Sequence, residues 1–140
     1  MTNIKPGPGH VNVSTYAFHV WARQYYQCVQ DFQSPERSPV PYALLCRAIE
    51  LELKARHLEL TPGQPGMKKF GHDLEKAYDA LPANQKVLTA LERNLLGKAN
   101  DVYTDDKGFD YVQVGDMATA YSRFPDRASL DALAKRLLGL

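Results

Sequence analysis

Two groups of polar residues have the types and spacing that could do chemistry, and the first is the pair His72-Asp73. The pair stands where a short helix is predicted to begin, and the free backbone N–H groups of a helix N-terminus attract anions. With Lys54 of a preceding helix, the pair could form a small site for a phosphate or a nucleotide. The structural alternative is that Asp73 caps the helix while His72 hydrogen-bonds to a neighbouring helix. The capping preference of Asp favours this second interpretation.

The second group is a row of four polar residues on one predicted helix. They follow one another at steps of three, four and three residues, which places their side chains in a line along the axis: Arg47, Glu50, Lys54 and His57. The row could line a ligand-binding groove. It could also be a solvated surface on which Glu50 and Lys54 form an ordinary ion pair, worth about 0.3 to 0.5 kcal/mol. The sequence favours the solvated surface.

A third group combines aromatic and basic residues late in the chain. Its members are Tyr103, Lys107, Phe109, Tyr111, Tyr121, Arg123 and Phe124. Bases of single-stranded RNA stack on such rings while Arg and Lys contact phosphates, so Arg123 is a candidate ligand-binding residue. Several aspartates in the same segment would repel phosphates. This charge favours packing of the rings against the rest of the protein.

Helical periodicity predicts the elements that must position these residues. The predicted helices run from Ser14 or Thr15 to Phe32, from Tyr42 to Leu58, from His72 or Asp73 to about Leu81, from Ala83 or Asn84 to Lys98, and from Asp126 or Ser129 onward. The fourth helix is predicted to carry Val87, Leu88, Leu91 and Leu95 on one face and to be closed by Asn100 and Asp101. Apolar residues form two stripes on opposite sides of the second helix, which predicts that it is packed between neighbours. Residues 102–114 are rich in aromatic and β-branched types and fit a hairpin or an ordered loop.

The predicted fold class is therefore all-α, a single up-and-down bundle of about five helices with a short irregular or β-hairpin insertion. Residues 1–13 contain two Pro-Gly pairs and are predicted to form a flexible arm before a domain that spans residues 14–140. On the first helix, we expect the aromatic residues Trp21, Tyr25 and Phe32 to lie in the core or in a dimer interface. Cys28 and Cys46 are predicted to be buried thiols.

Composition and motifs exclude several classes of function. The 140 residues carry a net charge of only +1, which argues against tight non-specific DNA binding. The chain has no phosphate-binding glycine loop, no Gly-x-Ser-x-Gly elbow, and no His-x-x-x-His or Cys-x-x-Cys pair. We therefore predict no cofactor and no metal. No apolar run is long enough for a membrane span and no signal peptide is evident, so we expect a cytoplasmic protein without membrane contact.

Three short motifs occur in an order that resembles HEPN-like domains. They are the helical segment from Ala48 to Ala55, the helix start Gly71-His72-Asp73-Leu74, and Arg123-Phe124-Pro125 before the last helix. The resemblance covers residues 14 to 138 and implies an up-and-down helical bundle that is often dimeric. The family includes RNA-cleaving toxins, nucleotide-binding modules and partners of minimal nucleotidyltransferases. No histidine of this chain follows an Arg after four to six residues, which is the signature of the ribonuclease members.

The resemblance implies a non-catalytic, homodimeric module that binds RNA, a nucleotide or a nucleotidyltransferase-like protein partner in stress response, phage defence or a toxin–antitoxin pair. The candidate ligand-binding residues are Arg47, Glu50, Lys54, His57, His72, Asp73 and Arg123. One alternative is a metal-independent endoribonuclease with a non-standard site. There His72 would be the acid or base, and Arg47 or Lys54 would stabilise the cleaved phosphate. Another alternative is a purely structural bundle that packs its apolar first helix against a partner protein.

Overall fold

The computed structural model describes residues 15–33, 38–61, 70–104 and 123–140, and these residues form five α-helices. The helices are α1 (Thr15–Asp31), α2 (Val40–Leu60), α3 (Leu74–Asp79), α4 (Ala90–Tyr103) and α5 (Arg127–Leu138), with one 3-10 turn at Ala83–Gln85. No residue of the described segments lies in a β-strand. The all-α prediction is confirmed. The predicted arm (1–13) and most of the predicted hairpin (105–114) lie outside the described residues.

Helix α2 lies at the centre of the bundle and contacts each of the other four helices. Both predicted apolar stripes are covered: Ala48, Leu51 and Ala55 are buried on one side, and Leu45, Cys46, Ile49 and Leu53 on the other. Because a helix that is apolar on two sides must be packed on both, the pattern alone placed α2 correctly.

Side-chain contacts give the direction of each helix relative to α2. At one end of α1, His19 contacts Glu59 near the end of α2, so α1 runs antiparallel to α2. The contacts advance in the same direction along both helices, from Glu50 with His72 just before α3 to His57 with Ala77 in α3. Helices α2 and α3 are therefore parallel. Arg136 near the end of α5 pairs with Glu92 near the start of α4. Asn100 near the end of α4 contacts Asp73 just before α3, while Arg93 near the start of α4 contacts Asp79 at the end of α3, so α4 runs antiparallel to α3 and hence to α2. The four long helices α1, α2, α4 and α5 therefore alternate in direction, as an up-and-down bundle requires.

Local signals in the sequence start and stop three of the helices. Asp73 caps α3 by accepting from Lys76 N at 3.0 Å, and Asp126 caps α5 by accepting from Ser129 N at 3.0 Å. Thr89 and Glu92 form a reciprocal capping box at the start of α4. Helix α5 ends at Gly139, whose φ of 71° lies in the left-handed region that glycine adopts without strain.

The predicted start of the fourth helix was wrong. The chain forms only a 3-10 turn at Ala83–Gln85, and α4 begins at Ala90 because the capping box fixes its first turn. The predicted apolar face is consequently only half right: Val87 is 43% exposed and Leu91 is 82% exposed, whereas Leu88 and Leu95 pack against the core. The helix also continues to Tyr103, past the Asn100-Asp101 pair that was expected to end it. Its buried residues are Leu96, Ala99, Asn100 and Val102.

The first helix has the predicted bounds but a narrower core face. Its buried residues are Phe18, Ala22, Tyr26 and Val29. Trp21 is 42% exposed. Cys28 is exposed as well, so the expectation that both thiols are buried holds only for Cys46. The four buried residues face α2 and α5. The aromatic side chains of Trp21, Tyr25 and Phe32 are only partly covered. Tyr26 is buried in the core, and its hydroxyl donates to Asp131 of α5 at 2.5 Å.

Two leucines of α4 test the register that the structure assigns to this helix. Leu96 is fully buried and Leu91 is 82% exposed. Replacement of Leu96 by Ala leaves a cavity, so we expect Leu96→Ala to lower the free energy of unfolding by about 2 to 5 kcal/mol. Leu91→Ala is the matched control and should change it by about 0.5 kcal/mol or less. Urea denaturation followed by circular dichroism measures both, and equal losses would contradict the register.

Candidate functional site

The carboxylate of Glu50 is buried in the bundle, and its side chain is 3% exposed. Its Oε2 accepts hydrogen bonds from Arg47 Nη1 at 2.9 Å and from Lys54 Nζ at 2.6 Å. Its Oε1 is 2.8 Å from His72 Nδ1 and accepts from Tyr103 Oη at 2.6 Å. Each oxygen thus has two partners, which fills the acceptor capacity of a carboxylate. We call these five residues, Arg47, Glu50, Lys54, His72 and Tyr103, the Glu50 cluster.

The protonation states within the Glu50 cluster follow from its contacts. Burial raises the pKa of Glu50, but the hydrogen bonds from Lys54, Tyr103 and His72 outweigh it and hold the pKa below its ordinary value. Burial and the nearby carboxylate both raise the pKa of Tyr103, so its hydroxyl stays protonated and donates. Because an ionised carboxylate only accepts, Nδ1 of His72 must carry the hydrogen in this contact.

The predicted row on α2 faces α3 and the core, so the solvated-surface interpretation was wrong. Lys54 is only 12% exposed, although its predicted ion pair with Glu50 is present. The fourth member of the row, His57, does not join the Glu50 cluster. Its Nε2 is 2.7 Å from the carbonyl oxygen of Ala77, and its ring lies 4.5 Å from that of Phe70. His57 therefore ties α2 to α3, and its surroundings are those of a core residue.

The His72-Asp73 pair serves two different contacts. His72 reaches α2 at Glu50, as described, while Asp73 caps α3 and also accepts from Asn100 Nδ2 at 3.0 Å. The capping interpretation of Asp73 is confirmed. Asn100 is a buried polar residue that sequence reasoning assigned only to a helix end. Its Oδ1 accepts from Leu74 N at 2.8 Å, so it fastens the start of α3 to α4.

The late aromatic and basic group is only partly described. Phe124 is buried and packs edge-on against Tyr42 of α2, with ring centroids 5.0 Å apart. The guanidinium carbon of Arg123 lies 5.0 Å from the centroid of the Phe124 ring. This places Arg123 near Tyr42, eight residues before Glu50 and so about 12 Å from it along α2. The packing interpretation holds for Phe124, and Lys107, Phe109, Tyr111 and Tyr121 lie outside the described residues.

Sequence reasoning missed a second buried carboxylate, Glu52, whose side chain is 3% exposed. It is 2.7 Å from His19 Nδ1 and accepts from Arg56 Nε at 3.1 Å. His19 also contacts Glu59, and burial, which lowers the pKa of His19, is outweighed by its bonds to the two glutamates, which raise it. Arg56 donates in addition to the carbonyl oxygen of Leu137 at 2.7 Å. This group joins α1, α2 and α5, and the four-residue step from Glu52 to Arg56 was its one visible signal.

Other kinds of site have no support in the parts of the chain that the structure describes. There, no three His, Cys, Asp or Glu side chains are grouped so that they could hold a metal ion. Burial raises the pKa of the Cys46 thiol and keeps it protonated, which removes its nucleophilic character. Within those same segments, no helix combines the length and the apolar character needed to span a membrane.

Replacement of Glu50 by Gln tests whether its buried charge holds the cluster together. The variant leaves Arg47 and Lys54 without their carboxylate, so we expect the free energy of unfolding at neutral pH to fall by roughly 3 kcal/mol. Because the pKa of Glu50 is lower in the folded state, its contribution is complete above the ordinary glutamate value of about 4.3 and is lost as the pH falls through the lowered pKa.

The difference between the wild type and Glu50→Gln should therefore shrink in acid. Urea denaturation at neutral pH and at about pH 3 measures it. Asp101→Asn is the control, since Asp101 is an exposed carboxylate on α4. A difference that stays constant across the two pH values would contradict the assigned charge state.

Comparisons with known proteins find no relative of this chain. No protein-family model matches the chain, and searches of characterised proteins and of solved structures give no significant match.

Proposed function

We propose that this chain is a non-catalytic, HEPN-like binding module that holds a nucleotide or RNA by its phosphate at the Glu50 cluster. The observation that supports this proposal is that one buried carboxylate gathers three basic side chains, two from α2 and one from the turn before α3, at one place on the protein. Arg47, Lys54 and His72 all lie within 2.9 Å of its oxygens. Such convergence of cations is the usual way in which a protein builds a phosphate site.

The charge of the cluster favours an anionic ligand. Arg47 and Lys54 carry two full positive charges against the single negative charge of Glu50, so one positive charge is left even when His72 is neutral. The other nearby carboxylate, Asp73, is directed at Asn100 and the first turn of α3. A phosphate would therefore meet a local positive charge in a chain whose net charge is close to zero.

The members of the cluster divide into two roles. Glu50 and Lys54 are almost covered, whereas the side chains of Arg47 and His72 are 39% and 66% exposed. We therefore assign ligand contact to Arg47 and His72. Glu50 has no acceptor capacity left and would hold the two exposed groups in place, with Lys54 balancing its charge.

The same resemblance supplies the remaining parts of the proposal. They are a homodimer and a nucleotidyltransferase-like protein partner in stress response or phage defence, whereas the cytoplasmic location that we propose comes from the composition of the sequence. The partly exposed aromatic residues of α1 are compatible with a contact between protein chains, but they carry no preference for one partner. Analytical ultracentrifugation of the purified chain would test the homodimer.

The first experiment is a thermal-shift and calorimetric titration with ATP, inorganic phosphate and a short single-stranded RNA at low salt. We expect the melting temperature to rise with at least the nucleotide or the RNA. Arg47→Ala and His72→Ala should each weaken binding by about tenfold or more, which corresponds to one lost charge-assisted hydrogen bond.

The control variant for this titration is Arg136→Ala. Arg136 is 55% exposed and pairs with Glu92, which lies eleven residues from Tyr103 and so about 16 Å away along α4. Its replacement should leave binding unchanged. The proposal fails if no phosphate-bearing ligand stabilises the protein, or if Arg136→Ala weakens binding as much as Arg47→Ala does.

One observation favours a second candidate function, an endoribonuclease that needs no metal. Glu50 fixes Nδ1 of His72, so in the neutral imidazole the lone pair of Nε2 is available on a side chain that is two-thirds exposed. That nitrogen could take the proton of a ribose 2′-hydroxyl as its oxygen attacks the adjacent phosphorus. The bond from phosphorus to the 5′-oxygen would then break, His72 would return the proton to that oxygen, and Arg47 would stabilise the charge on the phosphate.

An RNA cleavage assay in EDTA separates the two functions. The binding module predicts that end-labelled single-stranded RNA is bound and stays intact. The wild type could instead yield fragments with 2′,3′-cyclic phosphate ends. If His72→Ala then lowers the rate of cleavage by about a hundredfold or more, the chain is an endoribonuclease and the proposal of a non-catalytic binding module fails. Arg136→Ala serves again as the control and should cleave as the wild type does, whereas cleavage that persists unchanged in His72→Ala would point to a contaminating nuclease.

A further inference from the structure

A cleft of about 470 Å³ opens between α1 and α2 on the side of the Glu50 cluster. Its walls are mostly apolar and aromatic, and the residues that matter here are Phe18, Trp21, Tyr25, Cys28, Arg47 and Leu51. This volume lies within the range of small-molecule sites, which are mostly apolar with a few polar groups at their edge. The proposed phosphate site leaves the cleft without a role.

Trp21 gives one wall of the cleft a fixed orientation. Its ring packs edge-on against the buried Phe18, with ring centroids 5.5 Å apart and an angle of 82° between the planes. The side chain is nevertheless 42% exposed, which is unusual for the largest apolar residue type. An indole that is held in place and partly uncovered is a surface on which a flat ring can stack.

Arg47 connects the cleft with the Glu50 cluster. Its Nη1 is 2.9 Å from Glu50 Oε2, and the same side chain lines the cleft. Burial lowers the pKa of Arg47, but Glu50, Tyr103 of the cluster and Tyr25 on the cleft side outweigh it and raise that pKa. An apolar recess and a group of cations therefore share one guanidinium, and a ligand with a ring at one end and a phosphate at the other would match both.

The surroundings of the cleft favour a small ligand over a protein surface. Gln24 also lines the cleft, and the exposed residues of α1 beyond it are mainly polar: Arg23, Gln27, Gln30 and Asp31, with Tyr16 as the one aromatic residue among them. A stable protein interface buries roughly 800 Å² on each partner and has an apolar centre. An isolated apolar recess bordered by glutamines and an arginine suits a single aromatic ring better.

We propose that this cleft receives the base of a nucleotide, or of one nucleotide in an RNA, whose phosphate is bound by the Glu50 cluster. This inference rests on the proposed function and adds to it the part of the ligand that the phosphate site does not recognise. Trp21 and Tyr25 stack on the base, and Arg47 lies between the base and the phosphate. Stacking on a ring accepts any base, so the site distinguishes nucleotides from other phosphates rather than one base from another.

The sole tryptophan of the chain makes this inference directly measurable. The wild type is titrated with AMP, with ribose 5-phosphate and with inorganic phosphate, and both the melting temperature and the tryptophan fluorescence are recorded. We expect every phosphate that binds to raise the melting temperature in an Arg47-dependent way. AMP alone should quench Trp21, and it should bind about tenfold more tightly than ribose 5-phosphate.

Three variants on α1 complete the test. Trp21→Ala should reduce the affinity for AMP to that for ribose 5-phosphate, and Trp21→Phe should retain most of it because a ring remains. Tyr16→Ala is the matched control, since Tyr16 is a 74% exposed aromatic residue of the same helix outside the cleft. Circular dichroism verifies that each variant keeps its helices.

The outcomes separate this inference from the proposed function. If AMP and ribose 5-phosphate bind equally well without a change in fluorescence, the base lies elsewhere and only the phosphate site stands. If no phosphate binds, the proposed function fails and this inference with it. If the fluorescence of the free protein changes with its own concentration, the cleft is a contact between two copies of the chain, and the inference is overturned.

Discussion

The fold depends on how it neutralises a charge that it buries. A carboxylate without partners in a protein interior costs several kcal/mol, and Glu50 is nearly inaccessible to water. Four donors satisfy it: Arg47 and Lys54 of α2 itself, His72 in the turn before α3, and Tyr103 at the end of α4. Any displacement of α3 or α4 away from α2 would remove a donor from a buried anion. This one side chain therefore constrains the relative positions of these helices.

Helix α2 carries a second constraint of the same kind on its other side. Glu52 follows two residues later, which at 3.6 residues per turn is about 200° around the axis from Glu50. His19 of α1 and Arg56 satisfy it, and Arg56 also binds the last turn of α5. The two carboxylates thus hold different helices against α2. One fixes α3 and α4 to α2, and the other fixes α1 and α5, while leucines and alanines fill the space between.

This arrangement explains why basic groups are concentrated in one place although the chain as a whole is close to neutral. The partners that neutralise Glu50 carry more positive charge than it needs, and two of them, Arg47 and His72, reach the surface. This excess positive charge results from the structural ion pairs, and it is available to bind an anion. Arg47 further extends from the cluster into the aromatic cleft of α1, so a structural ion pair, the proposed phosphate contact and the proposed base site share one side chain.

The sequence by itself determined the helices and the central place of α2, because helical periodicity, caps such as Asp73 and Asp126, and a two-sided apolar pattern are local properties. It failed where two local signals competed: the apolar residues Val87 and Leu91 suggested an earlier start for α4, whereas the Thr89–Glu92 capping box fixed the actual one. Only the tertiary structure decided that Glu50 is buried and that His72 and Tyr103 reach it from 22 and 53 residues away. A four-residue step from Glu to Lys looks the same on a solvated surface as in a core. A charge can be buried only where residues distant in the sequence hydrogen-bond to it in the folded protein. The spacing of residues along the chain does not show which distant residues do so.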